Sequence, residues 1–264
     1  MRVDSKWLTA LLLLGVMFLS GCSLPFVQKL KARDSLNDGV AEFTNQRYAT
    51  AVEFFKKSLE LDPGFETARM YLATAYMNQY RRGVPDPANM RVANTAIDTF
   101  KEVVANAEAA GRYDMNAMLS IANLYYLMDN HADSKEWCDK ILAIDPDNAE
   151  VYYRVAVMDY EAISAKTGDA SAVTTMPEDE LTELKRRVDQ GLDYIGRALK
   201  FRNGYYEAME YQNLLWREKA KMETDEDVKA KLILQASDVY YEAVQLGNKA
   251  REEAAKKPKT ATRK

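Results

Sequence analysis

Apolar residues return at helical spacing through Met118, Ile121, Ala122 and Tyr125, which marks one amphipathic helix. A polar turn follows at Asp129-Asn130-His131, and a second stripe runs through Trp137, Cys138, Ile141 and Ile144. Asp145-Pro146 closes the pair, because proline has no N–H to offer and pushes the preceding residue toward extended geometry. Two short helices share only a thin core, so such a unit needs neighbours to cover its remaining apolar face. The chain supplies them at a period of roughly 34 residues. The clearest second copy is 35–63, whose end, Ser58-Leu59-Glu60-Leu61-Asp62-Pro63, nearly duplicates Ile141-Leu142-Ala143-Ile144-Asp145-Pro146. In that copy Gly39 allows close helix approach, Tyr48 sits at the turn, Ala51 opens the second helix and Phe55 fills the gap between helices.

Three further pairs complete the pattern. A front helix over 66–78 is separated from a back helix over 92–104 by Arg81-Arg82-Gly83-Val84-Pro85-Asp86-Pro87, which predicts a loop inserted over 81–91. Arg81 and Arg82 are expected to be a solvated pair at a helix end. A front helix over 149–162 is followed by a second insertion over 161–176 and a long back helix over 177–201. Thr175-Met176-Pro177-Glu178 has the spacing of a capping box. The last pair covers 205–221 and 225–246, with Gly247 expected to end it.

These typed positions, agreeing in two copies at one spacing, resemble the tetratricopeptide repeat. The resemblance implies an all-α, right-handed superhelical solenoid of about five helix pairs with two inserted loops. Glu42, Ser58, Ser134 and Cys138 depart from the family pattern, since an aromatic or alanine is favoured at those places. The departures blur single repeats and leave the period intact.

Residues 1–21 form a targeting segment. Arg2 and Lys6 precede an apolar run from Trp7 to Leu19, shorter than the ~20 residues of a comfortable span but suited to a signal core. The run ends in Leu19-Ser20-Gly21-Cys22, which resembles the lipobox of bacterial lipoproteins. That resemblance implies a signal peptide cut before Cys22, lipid attachment (including palmitate) at Cys22, and a tether over 22–33 ahead of repeats over 34–246. Ser23 in place of aspartate implies an outer-membrane lipoprotein facing the periplasm. The wider pattern, with Ala96-Ile97-Asp98-Thr99-Phe100-Lys101 and the run from Glu207 to Ala220, resembles tetratricopeptide lipoproteins common in acidobacterial genomes.

Charge narrows the partners. The chain carries 36 Lys+Arg against 40 Asp+Glu, a formal charge of −4, which argues against general nucleic-acid binding. The excess of acid lies in the body. Residues 247–264 hold seven basic side chains against Glu252 and Glu253 and read as a basic, disordered tail able to meet an anionic envelope polymer.

Candidate chemistry is sparse. With Cys22 assigned to lipid, Cys138 has no disulfide partner and reads as a small core residue beside Trp137. The single histidine, His131, lies in a polar turn, and no metal, nucleophile-elbow or phosphate-loop motif is present. No catalytic residue, metal site or cofactor is expected, and the chain reads as a non-enzyme. What remains is a surface. Family resemblance places Met70, Thr74, Met77, Asn123, Tyr126, Tyr153, Tyr160 and Arg217 on the concave face, where a peptide or protein partner would bind. Leu36, Val40 and Leu119 stand where a carboxylate clamp would need lysine or asparagine, so no such clamp is expected. The leading expectation is a membrane-tethered interaction scaffold. Its alternatives are an enzyme or solute-binding lipoprotein with an unrecognised pocket, or a structural envelope protein acting through its tail.

Overall fold

The structure, a computed structural model, describes residues 5–168 and 170–256. The side chains of 5–24 and 170–171 lie outside that description, so the expected lipid site at Cys22 and the sorting residue Ser23 do too. Eleven helices and no strand occur among the described residues. They are α1 (Ser5–Thr44), α2 (Tyr48–Leu61), α3 (Glu66–Gln79), α4 (Pro87–Ala109), α5 (Met115–Leu127), α6 (His131–Ile144), α7 (Ala149–Thr167), α8 (Ala170–Thr174), α9 (Glu178–Phe201), α10 (Tyr206–Lys221) and α11 (Glu226–Lys256). All five expected helix pairs are present, and the all-α class is as expected. No helix among the described residues is long and apolar enough to cross a membrane.

The chain divides into two compact units, Met1–Asn130 and His131–Lys264. In the first, α2 packs on α1 and α3, α4 on α3, and α5 on α4. Its core joins Leu36, Val52, Phe55 and Leu72 to the small residues Ala51, Ala68 and Ala75. The close approach of α1 and α2 depends on Gly39: a Cβ there would lie 2.5 Å from Cε1 of Phe55. In the second unit α7 is central, packing on α6, α9 and α10, while α10 also holds α9 and α11. Its core includes Ile163, Leu184, Val188, Ile195 and Leu215.

The hairpin turns show why two segments repeat. After α1 the N–H of Gln46 donates to Phe43 O and that of Arg47 to Glu42 O. After α5 the N–H of Asp129 donates to Tyr126 O and that of Asn130 to Tyr125 O. Both sets have the hydrogen-bond spacing of an α-helix ended by a single residue in the left-handed conformation. Gln46 (φ 60) and Asp129 (φ 59) occupy the positive-φ position, so hydrogen bonding imposes this turn without glycine. Two family departures also find reasons here. Glu42 binds Arg47 across the turn, at 2.7 Å for Nη2 to Oε1. The Ser58 hydroxyl donates to the carbonyl of Ala32 at 2.7 Å.

Several boundaries differ from expectation. Residues 25–33 do not hang free of the repeats: they belong to α1, and Ala32 is wholly buried. The first insertion is shorter than 81–91, because Asp86 caps the Ala88 N–H and Pro87 fits the first turn of α4. Asn89, buried, clasps the loop through Arg81 O (2.8 Å) and Val84 O (3.0 Å). Helix α7 runs past 162 to Thr167, whose buried hydroxyl bonds Ile163 O and Glu218. Thr175 is not the cap of α9; its hydroxyl donates to Ala172 O and Pro177 precedes the first helical residue. His131 opens α6 and does not lie in the turn before it. Gly247 does not end α11, which continues to Lys256; the glycine is a contact, 3.4 Å from Tyr206 when a Cβ is built on it. Residues 257–264 lie outside the described set.

Candidate functional site

All eight residues expected on the concave face are half-buried, neither core nor free surface. They fall in both units. Met70, Thr74 and Met77 lie on α3 and Asn123 and Tyr126 on α5, in the first unit; Tyr153 and Tyr160 lie on α7 and Arg217 on α10, in the second.

In the first unit Tyr126 is covered. The Arg82 guanidinium lies 5.2 Å from its ring centre and reaches Asp129 Oδ1 at 3.0 Å. The expected solvated arginine pair is thus partly engaged. Thr74 turns its hydroxyl back to Met70 O at 2.8 Å, a bond internal to α3. A shallow hollow at the end of α4 is lined by Glu108, Gly111, Arg112 and Tyr113, and Arg112 is occupied there by Glu66.

The second unit gathers tyrosines. Tyr153 and Tyr160 are seven residues apart on α7, so they share a face about 10.5 Å apart along the axis. Tyr211 of α10 stands between them, edge-to-face with both: 5.6 Å and 79° to Tyr153, 5.5 Å and 82° to Tyr160. Such T-shaped pairs suit the ring quadrupole and contribute about 0.5–1.5 kcal/mol each beyond area burial. Tyr205, just before α10, adds a fourth ring 5.1 Å from Tyr153 and is itself buried. Its hydroxyl donates to Glu150 Oε2 at 2.8 Å, and Arg202 stacks on its ring at 4.1 Å.

The polar tips behave differently. Glu150 is taken up by Arg154 (3.1 Å), Arg202 (3.9 Å) and Tyr205. The hydroxyls of Tyr153, Tyr160 and Tyr211 have no hydrogen-bond partner among the described residues. Burial, with Tyr211, Glu150, Glu207 and Glu210 nearby, pushes the Tyr153 phenol up to about 12. Burial and Glu161 raise that of Tyr211. Both rings therefore keep their protons, and their hydroxyls remain donors. Further along α10, Arg217 donates through Nε to Asn213 Oδ1 at 2.8 Å.

Sequence reasoning singled out Tyr153 and Tyr160 and missed Tyr205 and Tyr211. Tyr211 shares α10 with the expected Arg217, and only the packing of α10 on α7 brings it between Tyr153 and Tyr160. Sequence reasoning placed Asp159 at a core or crossing position and missed the buried Thr167 and Glu218. Glu218 accepts from Thr167 and from Lys221 Nζ at 2.8 Å, all three meeting where α7 ends against α10. Asp159 lies buried with Oδ1 3.6 Å from Arg187 Nε and with Oδ2 unpaired. Burial raises its carboxyl above the usual range against the opposing pull of Lys135 and Arg187. Cys138 is fully buried, its thiol pushed up to about 11 by burial, which suits an inert core residue. No group of three or more metal-ligating side chains occurs among the described residues.

Comparison with known proteins agrees with the repeat reading. The tetratricopeptide repeat family matches residues 39–65 and 116–148. A crystal structure of MamA superimposes with a TM-score of 0.54 at 14% identity, covering 84% of this chain and 94% of that one. A structure of MamA from residue 41 to the end, from Desulfovibrio magneticus RS-1, gives 0.54 at 10% identity, covering 83% and 96%. At such identities the likeness is one of fold. No curated protein matches the sequence.

Proposed function

We propose that this chain is a non-enzymatic interaction scaffold of the bacterial cell envelope that binds a peptide or protein partner on the front-helix face of its second unit. The observation that carries the reading is the tyrosine wall of α7 and α10. Three half-buried rings present large apolar area, and their hydroxyls find no hydrogen-bond partner among the described residues. The rings pack in part against the core of this unit, and their hydroxyls reach solvent, where a partner can meet them. Tyrosine loses little rotamer freedom on binding, which favours it as an anchor.

Tethering belongs to the same proposal. The short apolar run ending in Leu19-Ser20-Gly21-Cys22 supports cleavage before Cys22 and acylation of its thiol, and Ser23 supports the outer membrane. The scaffold would then work at the periplasmic side.

The test is chemical crosslinking in native membranes followed by recovery of the chain, with Tyr160→Ala and Tyr211→Ala beside the wild type. Loss of an anchor commonly costs 2 kcal/mol or more of binding, roughly thirtyfold in affinity. Loss of a core aromatic instead costs ~3–5 kcal/mol of folding. Lost partners are expected at a modest folding cost, about 0.5–1.5 kcal/mol for the one ring pair lost in Tyr160→Ala and about 1–3 kcal/mol for the two lost in Tyr211→Ala. Severe destabilisation would return the tyrosines to the core, and undiminished recovery would remove this face from binding.

A further inference from the structure

Around Tyr153 and Tyr211 the charged groups are acidic, whereas Arg202 covers Tyr205 beside them. The charged groups acting on the Tyr153 phenol are Glu150, Glu207 and Glu210, and those acting on Tyr211 are Glu161 and Glu210. Of these, Glu150 is already neutralised by Arg154 and Arg202. Glu207 and Glu210 form no ion pair among the described residues; Glu207 hydrogen-bonds Tyr206 alone. Both lie on the first turns of α10, one helical turn apart, with Glu210 immediately before Tyr211. Arg217, about 9 Å further along the axis, bounds the acidic stretch at its other end.

We propose that the Tyr153–Tyr211–Tyr160 face takes a lysine- or arginine-bearing segment of a partner protein, with a cationic side chain set against the rings and held by Glu207 and Glu210. The proposal rests on the reading of this face as partner-binding. A cation attracted to the negative face of an aromatic ring is favoured when it is partly desolvated, and half-buried tyrosines provide that setting. Two unpaired carboxylates at the margin add attraction and steer the approach. The free hydroxyls of Tyr153, Tyr160 and Tyr211 can donate to backbone carbonyls of the same segment. An acidic segment would meet like charge at the same margin.

Fluorescence anisotropy on the full chain tests this with labelled ten-residue peptides alternating lysine, arginine or glutamate with alanine. The lysine and arginine peptides are expected to bind, less tightly as salt rises, and the glutamate peptide not to. Glu207→Gln with Glu210→Gln keeps helix propensity and should weaken binding about three- to tenfold. Equal binding of basic and acidic peptides, or indifference to the double substitution, overturns the proposal. If basic peptides fail while Tyr160→Ala and Tyr211→Ala still lose crosslinked partners, the face stands and its cationic preference falls. If those variants keep their partners as well, both readings fall. A chain ending at Lys256 that binds the lysine peptide at least tenfold tighter would assign the face to the chain's own basic end and overturn the partner reading.

Discussion

Gly39→Ala sets two effects of known size against each other. Alanine is the better helix former by about 1 kcal/mol in a helix interior. The added methyl, however, would sit 2.5 and 2.6 Å from Cε1 and Cδ1 of Phe55, where contacts under about 3 Å do not persist. Phe55 cannot yield cheaply: it is wholly buried and stacked 5.5 Å from Tyr71. Overfilling a core costs typically 1–3 kcal/mol, and two contacts this short put the site in the upper half of that range, about 2–3 kcal/mol, so the expected net loss is about 1–2 kcal/mol. For a chain of this size that lowers the melting temperature by roughly 2–8 °C. Gly196→Ala is the control, since nothing lies within 4 Å of its added Cβ and it sits inside α9. It should raise melting by roughly 2–4 °C. Melting followed by circular dichroism decides the matter, with Phe55→Leu combined in a double-mutant cycle. The smaller side chain should soften the Gly39→Ala penalty, a positive coupling between touching residues. A Gly39→Ala protein as stable as the wild type, or one showing no coupling to Phe55→Leu, would refute the reasoning.

Three other outcomes are expected. Asp159 is raised by burial, so its ionised form weakens the fold; that cost is absent below the usual carboxylate range and develops as pH rises through its folded value. Asp159→Asn should therefore melt higher than the wild type at neutral pH, with the advantage shrinking toward about pH 4; a lower neutral melting point would show that Arg187 and Lys135 outweigh burial. Gln46→Gly removes a side chain from a positive-φ position and should stabilise by about 0.5–1 kcal/mol in urea titration, an unchanged or lower midpoint counting against the strain argument. Cys22→Ala should block signal cleavage and alter membrane partitioning, and an intact mass showing residues 1–21 retained on the wild type would exclude the proposed anchor.

Two helix pairs were legible because their stripes, turns and closing Asp-Pro pairs agree, and the other three followed from helical stripes set apart by turn-forming insertions. Gly39 and Phe55 were legible as a contact because a glycine in a helix interior calls for a packing reason, and the built Cβ supplies it. Boundaries were harder where local chemistry competes with general signals. Gly247 resembles a helix stop, yet the ring of Tyr206 makes it a close-contact residue inside α11. The alanine-to-serine departure at Ser58 carried no local signal, since its partner Ala32 lies 26 residues away in sequence. The tyrosine wall was half legible for the same reason. Tyr153 and Tyr160 share a helix, but their meeting with Tyr211 is a tertiary fact set by how α7 and α10 pack.

Helix α11 contains two thermodynamic regimes within one continuous ladder of hydrogen bonds. Up to Gly247 it is anchored at Leu232, Ala236 and Ala243, which are buried. From Asn248 to Lys256 every side chain is exposed, so those two and a half turns rest on helix propensity alone, too short a length to persist unaided. Amide hydrogens should therefore exchange on a gradient along this helix, fast beyond Gly247 and slow near Ala236. Within α11, a protease that cuts after lysine or arginine would find its earliest sites at Lys249, Arg251 and Lys256, and would leave the packed turns standing.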